Sequence, residues 1–115
     1  MIRRADELSS EIFDSRFGGN GQVSVTRILE TDQFRGKGRL FARNLLKPGA
    51  SIGRHQHKED AETYYILSGS GTVDDNGVRK PVGPGDVVFT ADGGYHAIEN
   101  TGTTDLEFIA LILFA

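Results

Sequence analysis

The stretch GASIGRHQHKEDAETYYILSG, residues 49–69, decides how this chain is read. His55 and His57 are separated by one residue. In a strand, such positions project to the same side, so two imidazoles converge on one face. Glu62 follows after four residues, opening a run of Thr63, Tyr64, Tyr65 and Ile66 that suits a pleated, half-buried surface. A short turn between the two runs lets the carboxylate return to the face of the histidines. The remaining histidine, His96, lies on a later β-like run, Tyr95 to Asn100, which must pair near the first two to join them. Three imidazoles and one carboxylate suit a borderline divalent ion, Mn, Fe, Zn, Ni or Co, whereas a Ca or Mg cage wants mostly oxygens. His-x-His alone is a weak signal, because surface pairs arise by accident. The spacing strengthens it: every histidine falls in one of two glycine-bracketed segments.

Outward from this stretch the chain reads as β throughout. Gln22 to Glu30 alternates, with Val23, Val25 and Arg27 on one side. Arg39 to Lys47 is apolar-rich and closes at Pro48-Gly49. Asp75-Asn76-Gly77 is a hairpin signal, since Asn-Gly supplies the positive φ of a tight turn. Pro81, Pro84 and Gly85 mark a break, Val87 to Thr90 a short strand, and Leu106 to Phe114 the last strand. Met1 to Asn20 reads as a short turn or arm in which Asp6 caps a helical turn, ended by Gly18-Gly19-Asn20-Gly21. Short strands with closely spaced turns and no long helix predict an all-β sandwich or small barrel, here residues 21–115 as one domain behind an arm at 1–20.

In the last strand, Leu106, Phe108, Ala110, Ile112 and Phe114 share one face and Ile109, Leu111 and Leu113 the other. A strand apolar on both faces is expected to be buried on both, either centrally between two sheets or with its outer face against a second subunit. The second arrangement predicts a homodimer, which light scattering at micromolar concentration checks.

The 115 residues make one domain, long enough for a real core. Hydrophobic residues are 37% and charged residues 25%, the composition of a soluble globule rather than a disordered chain. Thirteen Lys and Arg against 16 Asp and Glu give a net charge of −3, which disfavours a nucleic-acid partner. Cysteine is absent, excluding disulfides, thiolate metal sites and Cys nucleophiles. The longest nearly apolar run, Leu106 to Ala115, contains Glu107 and is too short to span a bilayer, and no signal peptide is visible. The expectation is a cytoplasmic protein without a membrane partner.

At this point the residues resemble a known family. Gly49, five residues, His55-Gln56-His57, four residues, Glu62, six residues and Gly69 match the first cupin motif. Gly85, five residues, Ala91, one residue, Gly93, two residues, His96, three residues and Asn100 resemble the second, with Ala91 where the family usually has proline. The two motifs cover close to half of the chain, Gly49 to Asn100. The resemblance implies a small single-domain cupin: a double-stranded β-helix (jelly-roll) barrel with one divalent metal ion per chain inside it. It carries over His55, His57, Glu62 and His96 as ligands and gives structural roles to Gly49, Gly69, Gly85, Gly93 and Asn100.

Four protein ligands leave one or two positions open on a five- or six-coordinate ion, which is what a catalytic or ligand-binding metal needs. The competing reading is a metal that merely staples the barrel. Tyr64, two residues beyond Glu62, should face the same interior and place a phenol near an open position, unless it is simply a core aromatic. Arg43, on the preceding strand, clamps a carboxylate or phosphate if it points inward, and is a solvated charge if it points outward. Glu59 and Asp60 read as a solvated turn, Gln56 and Arg54 as outward-facing. No nucleophile elbow or phosphate-cradling loop is present. The leading function is an enzyme acting on a small oxygenated substrate, a carboxylate or sugar-derived molecule, and the resemblance implies a decarboxylase, dioxygenase, isomerase or lyase. Oxalate decarboxylases carry an arginine where this chain has Ile52, which weakens that assignment unless Arg43 substitutes. A non-catalytic metal or small-ligand binding or sensor module is the alternative, and a seed-storage-like role fits poorly. Since histidines bind metal only when neutral, metal affinity is expected to fall below about pH 6.

Overall fold

In the computed structural model, which describes residues 1–115, the chain forms ten strands and three short 3-10 turns. The strands are β1 (Ser10–Asp14), β2 (Gln22–Arg27), β3 (Gly38–Leu46), β4 (Ser51–Gln56), β5 (Asp60–Ser68), β6 (Gly71–Asp75), β7 (Val78–Val82), β8 (Val87–Thr90), β9 (Tyr95–Glu99) and β10 (Leu106–Phe114). They make two antiparallel sheets, of order β1-β2-β3-β10-β5-β8 and β4-β9-β6-β7. This is the expected jelly roll. No helix is long and apolar enough to cross a membrane.

Side-chain alternation builds the core. From one sheet come Val23 of β2, Ala42 and Leu46 of β3, Ile66 of β5 and Phe108 of β10; from the other, Ile52, Val73 and Ile98. The β6–β7 hairpin closes through Asn76 and Gly77, both at positive φ, as the Asn-Gly dipeptide demands. β7, read from its proline as a break, is a real strand: Pro81 is tolerated because β7 lies on a sheet edge, where one face of the ladder needs no donor.

The reading of residues 1–20 is corrected, and of the two forms of the β10 reading the strand covered by sheets on both faces is excluded. Residues 1–20 contain a 3-10 turn at Ala5–Glu7, in which Asp6 is an interior residue rather than the cap, the N-cap being Arg4, and also β1, which pairs with β2 from Ser10↔Thr26 to Asp14↔Gln22 and so extends the larger sheet. β10 is central within its sheet, between β3 and β5, but it is buried on one face only. Leu106, Phe108, Ala110 and Ile112 face the core, while Ile109 and Leu111 are half-buried and Leu113 and Phe114 are exposed. The outer apolar residues continue onto Tyr65, Val87 and Phe89, leaving an uncovered apolar face in the single chain.

Candidate metal centre

β4 and β9 lie side by side with His55 directly opposite His96. A β-bulge between Ile52 and His55 inserts one residue, and so turns both inward although three positions separate them. His57 lies just past the end of β4, held by its backbone N–H on the Gly94 carbonyl at 2.9 Å. Glu62 and Tyr64 share the inner face of β5. The turn from Ala91 to Gly94 closes by its own backbone bond at 2.9 Å, so the family's proline is not needed there.

Four donor atoms meet. His96 Nε2 lies 2.9 Å from His55 Nε2 and 3.0 Å from His57 Nε2. Glu62 Oε1 lies 3.0 Å from both His57 Nε2 and His96 Nε2, and 4.0 Å from His55 Nε2. The opposite ring nitrogens are each held. His55 Nδ1 donates to the Gly53 carbonyl at 2.8 Å, His57 Nδ1 donates to Asp60 Oδ1 at 2.8 Å, and His96 Nδ1 lies 2.8 Å from the Thr90 hydroxyl. A carbonyl and a carboxylate only accept, so His55 and His57 carry their protons on Nδ1 and turn Nε2 lone pairs toward the centre. Lone pairs crowded at this distance repel unless a cation or a proton stands among them. Donors about 2.1 Å from one ion and at right angles to each other lie about 3.0 Å apart, matching the short contacts, so the residues fit a divalent metal.

The electrostatics agree. Burial pushes the Glu62 carboxyl up, but the three imidazoles packed around it, which favour its ionised form, more than reverse this and hold it far below the usual carboxylate range. The Glu62 hydrogen bond raises His57 against the opposing effect of burial, while in the fully buried His96 burial prevails and lowers the pKa. Tyr64 stacks on His96 at 4.8 Å, with its hydroxyl 3.4 Å from His96 Nε2. Burial and then the charge of Glu62 push its phenol well above the ordinary value, so it keeps its proton at neutral pH.

Some sequence readings change here. Asp60, read as part of a solvated turn, is buried and bridges His57 to Arg39, whose Nε donates to Asp60 Oδ2 at 2.9 Å. Burial raises the Asp60 carboxyl, but Arg39 and His57 together leave it below its usual value. Asp60→Ala is therefore expected to weaken metal affinity about 10–100-fold with the barrel intact. Chelator competition with circular dichroism as the folding control checks this, and unchanged affinity contradicts it. Arg43 points out of the barrel beside Glu107 at 3.9 Å, so it supplies no clamp to the site and does not stand in for the arginine missing at Ile52. The next residue, Asn44, faces in instead.

Beside the four converging side chains lies a cavity of about 170 Å³. Its lining includes Tyr64, Asn44 and three arginines, Arg16, Arg27 and Arg39. Phe17 closes one side, its ring stacked on His55 at 4.2 Å. Phe17 and Arg16 come from the 3-10 turn Arg16–Gly18, inside the segment read as an arm. Glycine permits this approach: a Cβ on Gly53 would lie 2.0 Å from the Phe17 carbonyl oxygen. Thr90 and Asn44 had a usable signal, a polar residue at an inward strand position. Arg16 and Phe17 had none, because a turn has no periodicity.

Comparison with known proteins agrees with this architecture. Residues 43–112 match the family described as Cupin_2, a cupin domain. The chain is 46% identical over 113 residues to the oxalate-binding protein of Thermotoga maritima, covering 98% of this chain and 93% of that one. A crystal structure described as a predicted oxalate decarboxylase from Thermotoga maritima superposes with a TM-score of 0.95 at 45% identity over the whole of both chains. The polyketide cyclase RemF of Streptomyces resistomycificus shares the fold alone, with a TM-score of 0.78 at 20% identity over 99% of this chain and 80% of that one.

Proposed function

The chain belongs to the cupin domain family, and from that premise we propose that it holds one divalent metal ion per chain and binds a small carboxylate at the open metal positions. The observation that carries the reading is the convergence of four donor atoms, all within 4.8 Å of one another, beside an arginine-lined cavity. The ligands are His55, His57, Glu62 and His96. The ion is one of Mn, Fe, Zn, Ni or Co, since an N₃O set accepts them all. When bound, it supplies Lewis-acid or redox polarisation of the ligand's oxygens.

The protein's own groups set the rest. The cavity is smaller than the 300–1,000 Å³ or so of drug-sized pockets, which favours a carboxylate of a few heavy atoms over a sugar derivative. Three arginines favour an anion. The buried Tyr64 phenol stays protonated and acts as hydrogen-bond donor or acid toward the ligand. Similarity to an oxalate-binding protein supports oxalate as the first ligand to try. Catalysis, as a metal-dependent decarboxylase, dioxygenase, isomerase or lyase, is the fuller form of the proposal, and a metal-dependent binding module is the alternative. We further propose a cytoplasmic homodimer joined through the apolar face around Tyr65, Val87 and Phe89.

Calorimetric titration of oxalate into manganese-loaded and chelator-treated protein tests this. Binding is expected only with metal, while equal binding without metal, or none in either form, overturns the reading. Oxalate consumed in the same sample makes the protein an enzyme, and oxalate bound but recovered intact makes it a binder.

A further inference from the structure

We propose that Arg16, delivered by the N-terminal turn, is the anion-binding residue that selects the far end of the ligand in the cavity. This rests on the preceding reading, that a small carboxylate occupies the site.

Three arginines line the cavity, and two of them are engaged. Arg27 is paired with Glu11 at 2.8 Å, and Arg39 is bound to Asp60 at 2.9 Å. Arg16 has no carboxylate partner within ion-pair distance. Aromatic rings hold it instead: its guanidinium carbon lies 4.2 Å from the centroid of Phe13 and 4.7 Å from that of Phe17. Such contacts occupy the face of a guanidinium and leave its N–H edge free, which is the edge that takes a carboxylate bidentately.

The placement of this group is built. Phe17 touches both Arg16 and His55, so a single ring ties the guanidinium to a metal ligand. Phe17 holds a left-handed backbone, φ 52° and ψ 36°, a conformation unfavourable for an aromatic residue and sustained here by its packing. The chain just beyond the turn is fastened to β4 by two bonds: the Asn20 N–H donates to Ser51 Oγ at 2.8 Å and the Ser51 N–H to the Asn20 carbonyl at 2.8 Å. Arg16 therefore does not sit on a loose tail.

A second observation shows that the cavity wants a polar occupant. Asn44 is 4% exposed, lines the cavity, and its Oδ1 is buried without a hydrogen-bond partner. Buried amides are ordinarily satisfied. Turned end for end, this amide presents its NH2 group, the end that can donate to a carboxylate.

A ligand with one carboxylate is bound by the metal alone, whereas one with a second carboxylate also meets Arg16. The test is calorimetric titration of oxalate and acetate into manganese-loaded protein, wild type against Arg16→Ala and Arg16→Lys, with metal content measured in each. Arg16→Ala is expected to weaken oxalate about 10–100-fold, the range for losing a charge-assisted hydrogen bond, to change acetate by less than threefold and to leave metal affinity unaltered. Arg16→Lys should restore part of the loss, since charge returns without the fork. Oxalate affinity within twofold of wild type in Arg16→Ala overturns the assignment of Arg16 alone. Equal loss for both probes also overturns it, because a diffuse charge effect then replaces a positioned contact. Wild-type protein that holds metal but binds neither probe overturns the carboxylate reading, and this proposal with it.

Discussion

His57→Ala is expected to give a folded barrel that no longer takes up metal. His57 is buried, its Nε2 stands 3.0 Å from both Glu62 Oε1 and His96 Nε2, and its Nδ1 is oriented by Asp60. Removing it deletes a donor and opens the space among the others. The fold should survive, because the main core, from Val23 to Ala110, is a cluster of hydrophobic side chains that does not include His57. The readout is thermal unfolding with and without added metal. Metal at 100 times its dissociation constant stabilises a native state by about 2.7 kcal/mol. For a domain near this size each kcal/mol moves the midpoint by roughly 4–8 °C. Wild type should therefore gain about ten degrees or more on metal addition, and His57→Ala essentially nothing. A variant that unfolds outright would make the metal a staple, and a variant that keeps the full shift would remove His57 from the site.

Phe108→Ala is expected to cost about 3–5 kcal/mol, the range for truncating a buried aromatic. Phe108 is fully buried in β10, the strand that joins β3 to β5, and meets the Tyr64 ring edge-on at 4.8 Å. The loss is a large part of a total stability of about 5–15 kcal/mol. It also removes the surface against which Tyr64 rests while Tyr64 stacks on His96. Denaturant unfolding should show a lower midpoint at an unchanged slope. A cost below about 1 kcal/mol would mean that the barrel collapses around the gap.

The convergence of the four side chains was legible because strands have a period of two. His55 and His57 needed only that rule, and the glycine-bounded spacing to Glu62 and His96 supplied the rest. The same rule failed where the starting point of a strand was misplaced. β5 begins at Asp60 rather than Glu62, so Asp60 shares the inward parity of Glu62, Tyr64 and Ile66 and is not part of a turn. Parity could not be carried across Pro48-Gly49, which left Arg43 undecided, and it points outward while Asn44 points in. The doubly apolar pattern of β10 marked a central strand correctly, but did not distinguish a face covered by a sheet from one left open. Phe17 and Arg16 were illegible for a different reason. Their position depends on left-handed backbone at Ser15 and Phe17 and on a glycine thirty-odd residues away that admits the turn.

The most direct test of the central claim is metal quantification combined with anomalous scattering on crystals of metal-reconstituted protein. One ion per chain is expected, bonded to the Nε2 atoms of His55, His57 and His96 and to Glu62. No bound ion after reconstitution, or an ion held elsewhere with these four donors unliganded, would contradict it.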